Sequence, residues 1–234
     1  MAVIYKNPPL EFVKAKIWWH SHEFSHFEHL KLLNGLVYSS LSNEFPVIEN
    51  GFKRDVEPLG SVFSNEEKKL VLELSNGSAS LISTDENYSW SDFIQSIQIA
   101  FGAITKILED LIGPDHLHGV LEYEDYFKCN FDSFDNVISL ANDLKLNFSS
   151  ELISDLKSFR FAFFEKYDQG NITIDYKTIN NKMKRAGLYV NFNVDSNTFG
   201  PNEKEILTWF NGAHDICRFY FDRMIEGNIK TTIT

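Results

Sequence analysis

Cysteine is nearly missing from this chain of 234 residues: only Cys129 and Cys217 occur, in no CxxC pair. Two such cysteines form neither a disulfide framework nor a zinc ribbon. Basic charge is also short, with 22 Lys and Arg against 33 Asp and Glu, for a net charge of −11. Binding driven by the phosphate backbone needs clustered cations, so nucleic acid is not the primary partner expected. Long apolar runs are lacking too. No window reaches the roughly 18 apolar residues of a membrane span, and Met1–Pro9 carries no cationic segment followed by an apolar stretch. A cytoplasmic protein without a membrane partner is the expectation. There is no phosphate loop, dinucleotide glycine fingerprint or nucleophile elbow.

What the chain has in excess is phenylalanine, 21 copies against three methionines. Such a core buries much area per side chain and holds fixed shapes.

Periodicity gives the fold class. Val13, Ala15, Ile17 and Trp19 alternate behind Pro8-Pro9, which predicts a strand. Phe27, Leu30, Leu33, Val37 and Leu41 recur at helical spacing, with Ser25 and Glu28 as a capping box. Residues 47–60 read as a loop. Leu70, Leu72 and Leu74 alternate into Asn76-Gly77, a hairpin signal, and Ala79 and Leu81 return. Ser89 and Asp92 open a helix running to Leu111, stopped by Gly113-Pro114. Leu117 to Tyr123 is one more strand. Residues 137–144 suggest a short helix and Ser149 the start of another. Three strands follow, through Phe159–Phe163, Ile172–Tyr176 and Leu188–Val194. Asn202 and Glu205 cap a last helix through Ile206, Trp209, Ala213, Ile216, Tyr220 and Met224, closed by Gly227.

The expected class is α+β: antiparallel sheets backed by long amphipathic helices, in two similar halves, 1–128 and 129–234, which one continuous domain could also accommodate. No residue-level repeat links the halves.

Several short motifs occur in a shared order: Asn7-Pro8-Pro9-Leu10, Phe63-Ser64-Asn65-Glu66, Tyr88-Ser89-Trp90, and Trp209-Phe210 followed by Ala213-His214-Asp215. Together they make the chain resemble a sporadically distributed, uncharacterised family of microbial proteins of similar length. The resemblance implies no activity. A patchy distribution implies horizontal transfer, and with it a setting in anti-phage defence or mobile elements.

Candidate chemistry is sparse. His22-Glu23-Phe24-Ser25-His26 fits the H-E-x-x-H zinc pattern, which needs both histidines on one helical face. A helix that starts at Ser25 leaves His22 outside it. His20, His22, His26 and His29 still form a cluster suited to a divalent metal, the one cofactor the sequence suggests. Glu122, Glu124 and Asp125 gather beside His116 and His118 as a second candidate for metal or acid–base work, or as a solvated face. Glu66-Glu67-Lys68 falls in a turn. His214 is expected to be packed and hydrogen-bonded, with Asp215 orienting it or pairing with Arg218 at i+3. Gly212 beside it predicts that another element crosses closely there. Lys182, Lys184 and Arg185 form the basic run, with Lys177 before it, as a solvated connector or a contact for an acidic partner. Trp18 and Trp19 are sent to opposite faces of their strand, so one is left for an interface.

A non-enzymatic interaction or regulatory component is the leading expectation, with a protein partner or homo-oligomer. The alternatives are a metal-dependent hydrolase using the His20–His29 or the Glu122/Glu124/Asp125 cluster, and a small-ligand sensor with a pocket between the halves.

Overall fold

The computed structural model describes residues 10–19, 27–50, 60–75, 77–111, 113–128, 160–168, 170–180 and 186–226. Among them, nine antiparallel strands form one sheet and three helices accompany it. The chain runs β1 (Leu10–Trp19), α1 (Phe27–Leu41), β2 (Val47–Asn50), β3 (Gly60–Asn65), β4 (Leu70–Ser75), β5 (Ser78–Ser83), α2 (Trp90–Leu111) and β6 (Leu117–Lys128). It continues with β7 (Arg160–Tyr167), β8 (Gly170–Asn180), β9 (Ala186–Phe199) and α3 (Glu203–Glu226). The α+β class is confirmed, with sheet the larger part.

Strand order is β2-β3-β4-β5-β1-β6-β9-β8-β7. The central pair is β1 with β6, in which Val13 faces Tyr123, Ala15 faces Leu121 and Trp19 faces Leu117. The sheet is continuous across residue 128, because β6 pairs along its length with β9.

Alternation sorts each strand between two faces. On β1, Val13, Ala15, Ile17 and Trp19 are buried, while Lys14, Lys16 and Trp18 between them are half-buried. The buried set continues through Leu121 and Tyr123, Phe192 and Val194, and Ile172 and Ile174. Helices α2 and α3 lie on that face. Phe93, Ile97, Phe101, Ile104 and Leu108 come from one side of α2. Phe101 meets Phe210 of α3 at 5.7 Å between ring centroids, and Phe221 meets Phe127 and Phe192. At Gly119 a Cβ would lie 2.7 Å from the Trp209 ring, so a bare backbone there is what seats Trp209 and Phe199 against the sheet.

Local signals explain the boundaries. Gly77 turns the β4–β5 hairpin with φ of 83°. The Ser89 carbonyl accepts from Phe93 N–H at the start of α2, and Gly113, with φ of 54°, donates to the Leu108 carbonyl at its end. Asn202 Oδ1 accepts from the Glu205 N–H at 3.0 Å, and the Glu205 carboxylate accepts from Gly200 N–H at 2.6 Å, closing the N-terminus of α3.

Two expectations are corrected. Residues 47–60 do not read through as a loop: Val47–Asn50 is edge strand β2, paired with β3, and Gly60 begins β3. Their short Gly-, Ser- and Asn-containing sequences carry little strand signal, and pairing of β3 to β4 and of β2 to β3 decides their state. Strands β6 and β9 also extend beyond the predicted ends. The helices expected within 137–157, the Ser25 cap and Gly227 lie outside the described residues.

Candidate functional site

Three elements bring polar groups together beneath the sheet. Tyr88 precedes α2, Tyr123 points down from β6, and His214 lies on α3. The Tyr88 and Tyr123 hydroxyls are 2.8 Å apart, and the Tyr123 hydroxyl is 2.8 Å from His214 Nδ1. The other side of the imidazole stacks on Trp90, with centroids 4.1 Å apart and planes 5° from parallel. Trp90 Nε1 donates to Asn211 Oδ1 at 2.9 Å, one helical turn before His214. Asn211 Nδ2 donates to the Leu207 carbonyl, which orients the amide.

Burial sets the electrostatics. It lowers the His214 pKa to about 4, Asp215 opposing and Arg218 adding slightly, so the imidazole is neutral at pH 7. The imidazole tautomer sets the direction of the chain: an unprotonated Nδ1 accepts from the Tyr123 hydroxyl, which leaves that oxygen to accept from Tyr88, and a protonated Nδ1 donates to Tyr123. Burial pushes both phenols well above their usual range, and Cys217 and Asp125 add to it. Cys217, itself buried, is pushed up for the same reason. These groups are held in their neutral forms. A phenol or thiol that acts as a nucleophile near pH 7 needs the opposite adjustment.

Asp125 differs. It is 4% exposed on the same face as Tyr123, and burial, with a smaller push from Glu124, raises its carboxyl to about 7. Alternation separates it from Glu122 and Glu124, which stand on the opposite face. The three acids expected to converge therefore do not.

Among the described residues, the opposite face is open. Around a hollow of about 450 Å³ stand Glu122 and Glu124 of β6, Tyr189 and Asn191 of β9, Asp175 and Lys177 of β8, and Arg160 of β7. Asn191 Nδ2 donates to Glu122 Oε1 at 2.7 Å, and Arg160 grips Asp175 through Nε and Nη2, at 2.9 and 2.6 Å from Oδ2. Partial burial, with Glu122 and Glu11 nearby, raises the Glu124 pKa, and Lys177 opposes the rise. Further along, Trp18 stacks on His118 at 5.6 Å, and Lys16 Nζ lies 5.4 Å above the Trp18 ring.

The sequence candidates fall as follows. Trp18 is on the open face and Trp19 in the core, opposite as expected. Trp209 is buried against Phe199, and His214 is packed and hydrogen-bonded, as expected. Asp215 is exposed, and Arg218 pairs with Asp222 at 3.6 Å, the next turn along, in place of Asp215. Gly212 borders a shallow hollow with Tyr167, Ile216 and Phe219; the predicted crossing element is not found among the described residues. Glu66-Glu67-Lys68 is a turn, its Lys68 paired with Glu44. His20, His22, His26, Lys182, Lys184 and Arg185 lie outside the described residues, and His29 is in the first turn of α1. No group of three His, Cys, Asp or Glu side chains positioned for a metal occurs among the described residues. None of the described helices is long and apolar enough to cross a membrane. Sequence reasoning missed Tyr123 as the hydrogen-bond partner of His214 and Asn211 as the acceptor for Trp90 Nε1; the motif Tyr88-Ser89-Trp90 was the one signal for that side of the site.

The chain matches no protein-family model, and no curated protein is significantly similar to it.

Proposed function

We propose that this protein is a non-enzymatic interaction or regulatory component that docks a protein partner on the open face of its sheet. The observation that carries this is the charge pattern there. Across the strands, Lys14 stands opposite Glu122, Asn191 opposite Asp175, and Tyr189 opposite Lys177, so both signs alternate within one pleat spacing. A polyanion needs one sign over a long track. A folded protein surface carries both, and alternating charge sets its register and orientation. The buried Tyr88–Tyr123–His214 chain supports the same reading, since its groups are held neutral inside the core. Four strands, β2–β5, lie on one side of β1·β6 and precede α2, and three, β7–β9, lie on the other and precede α3, which supports a reading as two halves of similar plan. The resemblance to a horizontally spread family points to defence or mobile-element neighbours as the place to seek the partner.

Native mass spectrometry of untagged protein drawn from its host tests this. A partner mass that disappears in a Lys16→Glu, Glu124→Lys variant with unchanged melting temperature is the expected result. Wild-type protein bound to no other protein, or equal retention by the variant, overturns it.

A second reading, a small-ligand sensor, rests on the 450 Å³ hollow, whose lining joins Glu122 and Glu124 of 1–128 to Arg160, Asp175, Lys177, Tyr189 and Asn191 of 129–234. It requires a ligand-dependent rise in melting temperature that Glu124→Gln abolishes.

A further inference from the structure

The two margins of the sheet are unlike. At one end β2 has four residues. At the other, β7 has eight, and six of them are exposed. Phe164 is 65% exposed on the open face and Phe161 is 38% exposed on the other. Proteins that leave an edge strand unpaired usually keep it short or protect it with charge, proline or a bulge; β7 is eight residues long, its three charges are of mixed sign, and Phe161 and Phe164 stand exposed among them. No described strand lies beyond it.

The hairpin pairs Tyr167 directly with Gly170. That closing pair is of the hydrogen-bonded kind, and the kinds alternate along the ladder. Odd-numbered residues of β7 therefore direct their backbone groups to β8. The backbone N–H and C=O of Arg160, Ala162, Phe164 and Lys166 point away from the sheet.

We propose that β7 pairs antiparallel with β7 of a second copy of this chain, about a two-fold axis through Phe164, joining two nine-stranded sheets into one. Such an axis stands perpendicular to the sheet and must place even residues opposite even ones, so that the open faces and the helix faces both continue. Centring on Phe164 satisfies this with the outward backbone groups in register. Phe164 then faces Phe164 of the second copy, Phe161 faces Tyr167, Ala162 faces Lys166, and Arg160 faces Asp168. Centring one residue earlier also brings the outward groups into register, but it sets Arg160 against Lys166, and the like charges disfavour it.

Charge selects the occupant. The whole chain carries −11, so copies repel one another over most of their surface. Residues 160–168 hold Arg160 and Lys166 with Glu165 and Asp168, a neutral strip in which Arg160 meets Asp168 under the two-fold and no like charges oppose. On the helix side of the same margin, Phe219 is 46% exposed beside Ile216 and Tyr167, around a hollow of about 370 Å³ that extends the apolar surface beneath the strand.

This is independent of the open-face partner, because purified protein alone reads it. Native mass spectrometry and sedimentation of the full chain should give twice the 27.0 kDa chain mass. Phe164→Lys and Phe164→Glu place like charges on the axis, and each should be a monomer with unchanged circular dichroism. Mixed together, the two variants should form a heterodimer, which loss of folding cannot produce. Ala162→Pro, which removes an outward donor and leaves the β8 ladder whole, should also be a monomer. A wild type that stays monomeric, because the chain covers its own edge or for any other cause, overturns the proposal. So does a Phe164→Lys variant that still dimerises, or a mixture that yields no heterodimer.

Discussion

The two faces of the sheet are built from the same strands, residue by residue in alternation, yet they use polar groups in opposite ways. On the helix-covered face, polar side chains are rare and chained to one another, as in Tyr88–Tyr123–His214. On the open face they are dense and paired across neighbouring strands, as in Glu122 with Asn191 and Asp175 with Arg160. Burial makes the first set neutral and rigid. The second set stays partly hydrated, paired across strands at the surface. Chemically capable residues therefore do not mark a site by identity alone. His214 stands against Trp90 because it packs well there as a neutral ring, whereas Glu124 faces water with a raised pKa that an incoming cation would lower.

The comparison breaks most sharply in the core. Phe101→Ala removes a fully buried ring that packs on Phe210; urea unfolding should show a loss of about 3–5 kcal/mol. A matching truncation on the open face, Asn193→Ala, should stay within about 0.5 kcal/mol.

Asp125 is the charged exception on the covered face, and its effect depends on pH. Its folded pKa is raised from 3.8 to about 7. The folded state therefore holds the proton more tightly, and this stability, full below pH 3.8, is lost as pH rises to 7. Asp125→Asn removes the loss and should stabilise the protein above pH 7 by up to ~4 kcal/mol, with little effect near pH 4. His214 runs the other way. Its folded pKa is lowered from 6.5 to about 4, so its contribution is full above pH 6.5 and lost as pH falls to 4. Between pH 4 and 6.5 the two slopes oppose each other. Melting temperature against pH for wild type, Asp125→Asn and His214→Gln separates them.

Tyr123→Phe leaves His214 and the Tyr88 hydroxyl without their shared partner, and should cost about 1–3 kcal/mol in chemical denaturation. Asn202→Ala removes the α3 cap and should cost about 1 kcal/mol. The smallest effect is expected at Glu124→Gln, within about 0.5 kcal/mol by the same measurement, because that carboxylate is committed to no described hydrogen bond.

Much of the fold was legible residue by residue. Alternation over Val13–Trp19 predicted both the strand and the face on which each tryptophan lies. Asn76-Gly77 predicted the β4–β5 turn, and Asn202 with Glu205 predicted the start of α3. Strands β2 and β3 were not legible, because the Gly60–Asn65 stretch becomes a strand through pairing with β4 and the four-residue edge through pairing with β3, not through propensity. Asp125 was not legible either. Its neighbours suggested an acidic cluster, and only the continuation of β6 to Lys128 turns it inward, away from Glu122 and Glu124.

The sequence by itself determined which residues of each element face the core, since periods of 2 and 3.6 are local properties of the chain. It determined the acidic charge and the aromatic core as well. Only the tertiary structure decided that β1 and β6 form the centre, that β7 is left at the margin, and that Tyr123 meets His214 across 91 residues and Tyr88 across 35. A local pattern says that a face must be buried. Which other face buries it is settled by packing and register among elements far apart in the chain, and no short window of residues encodes that.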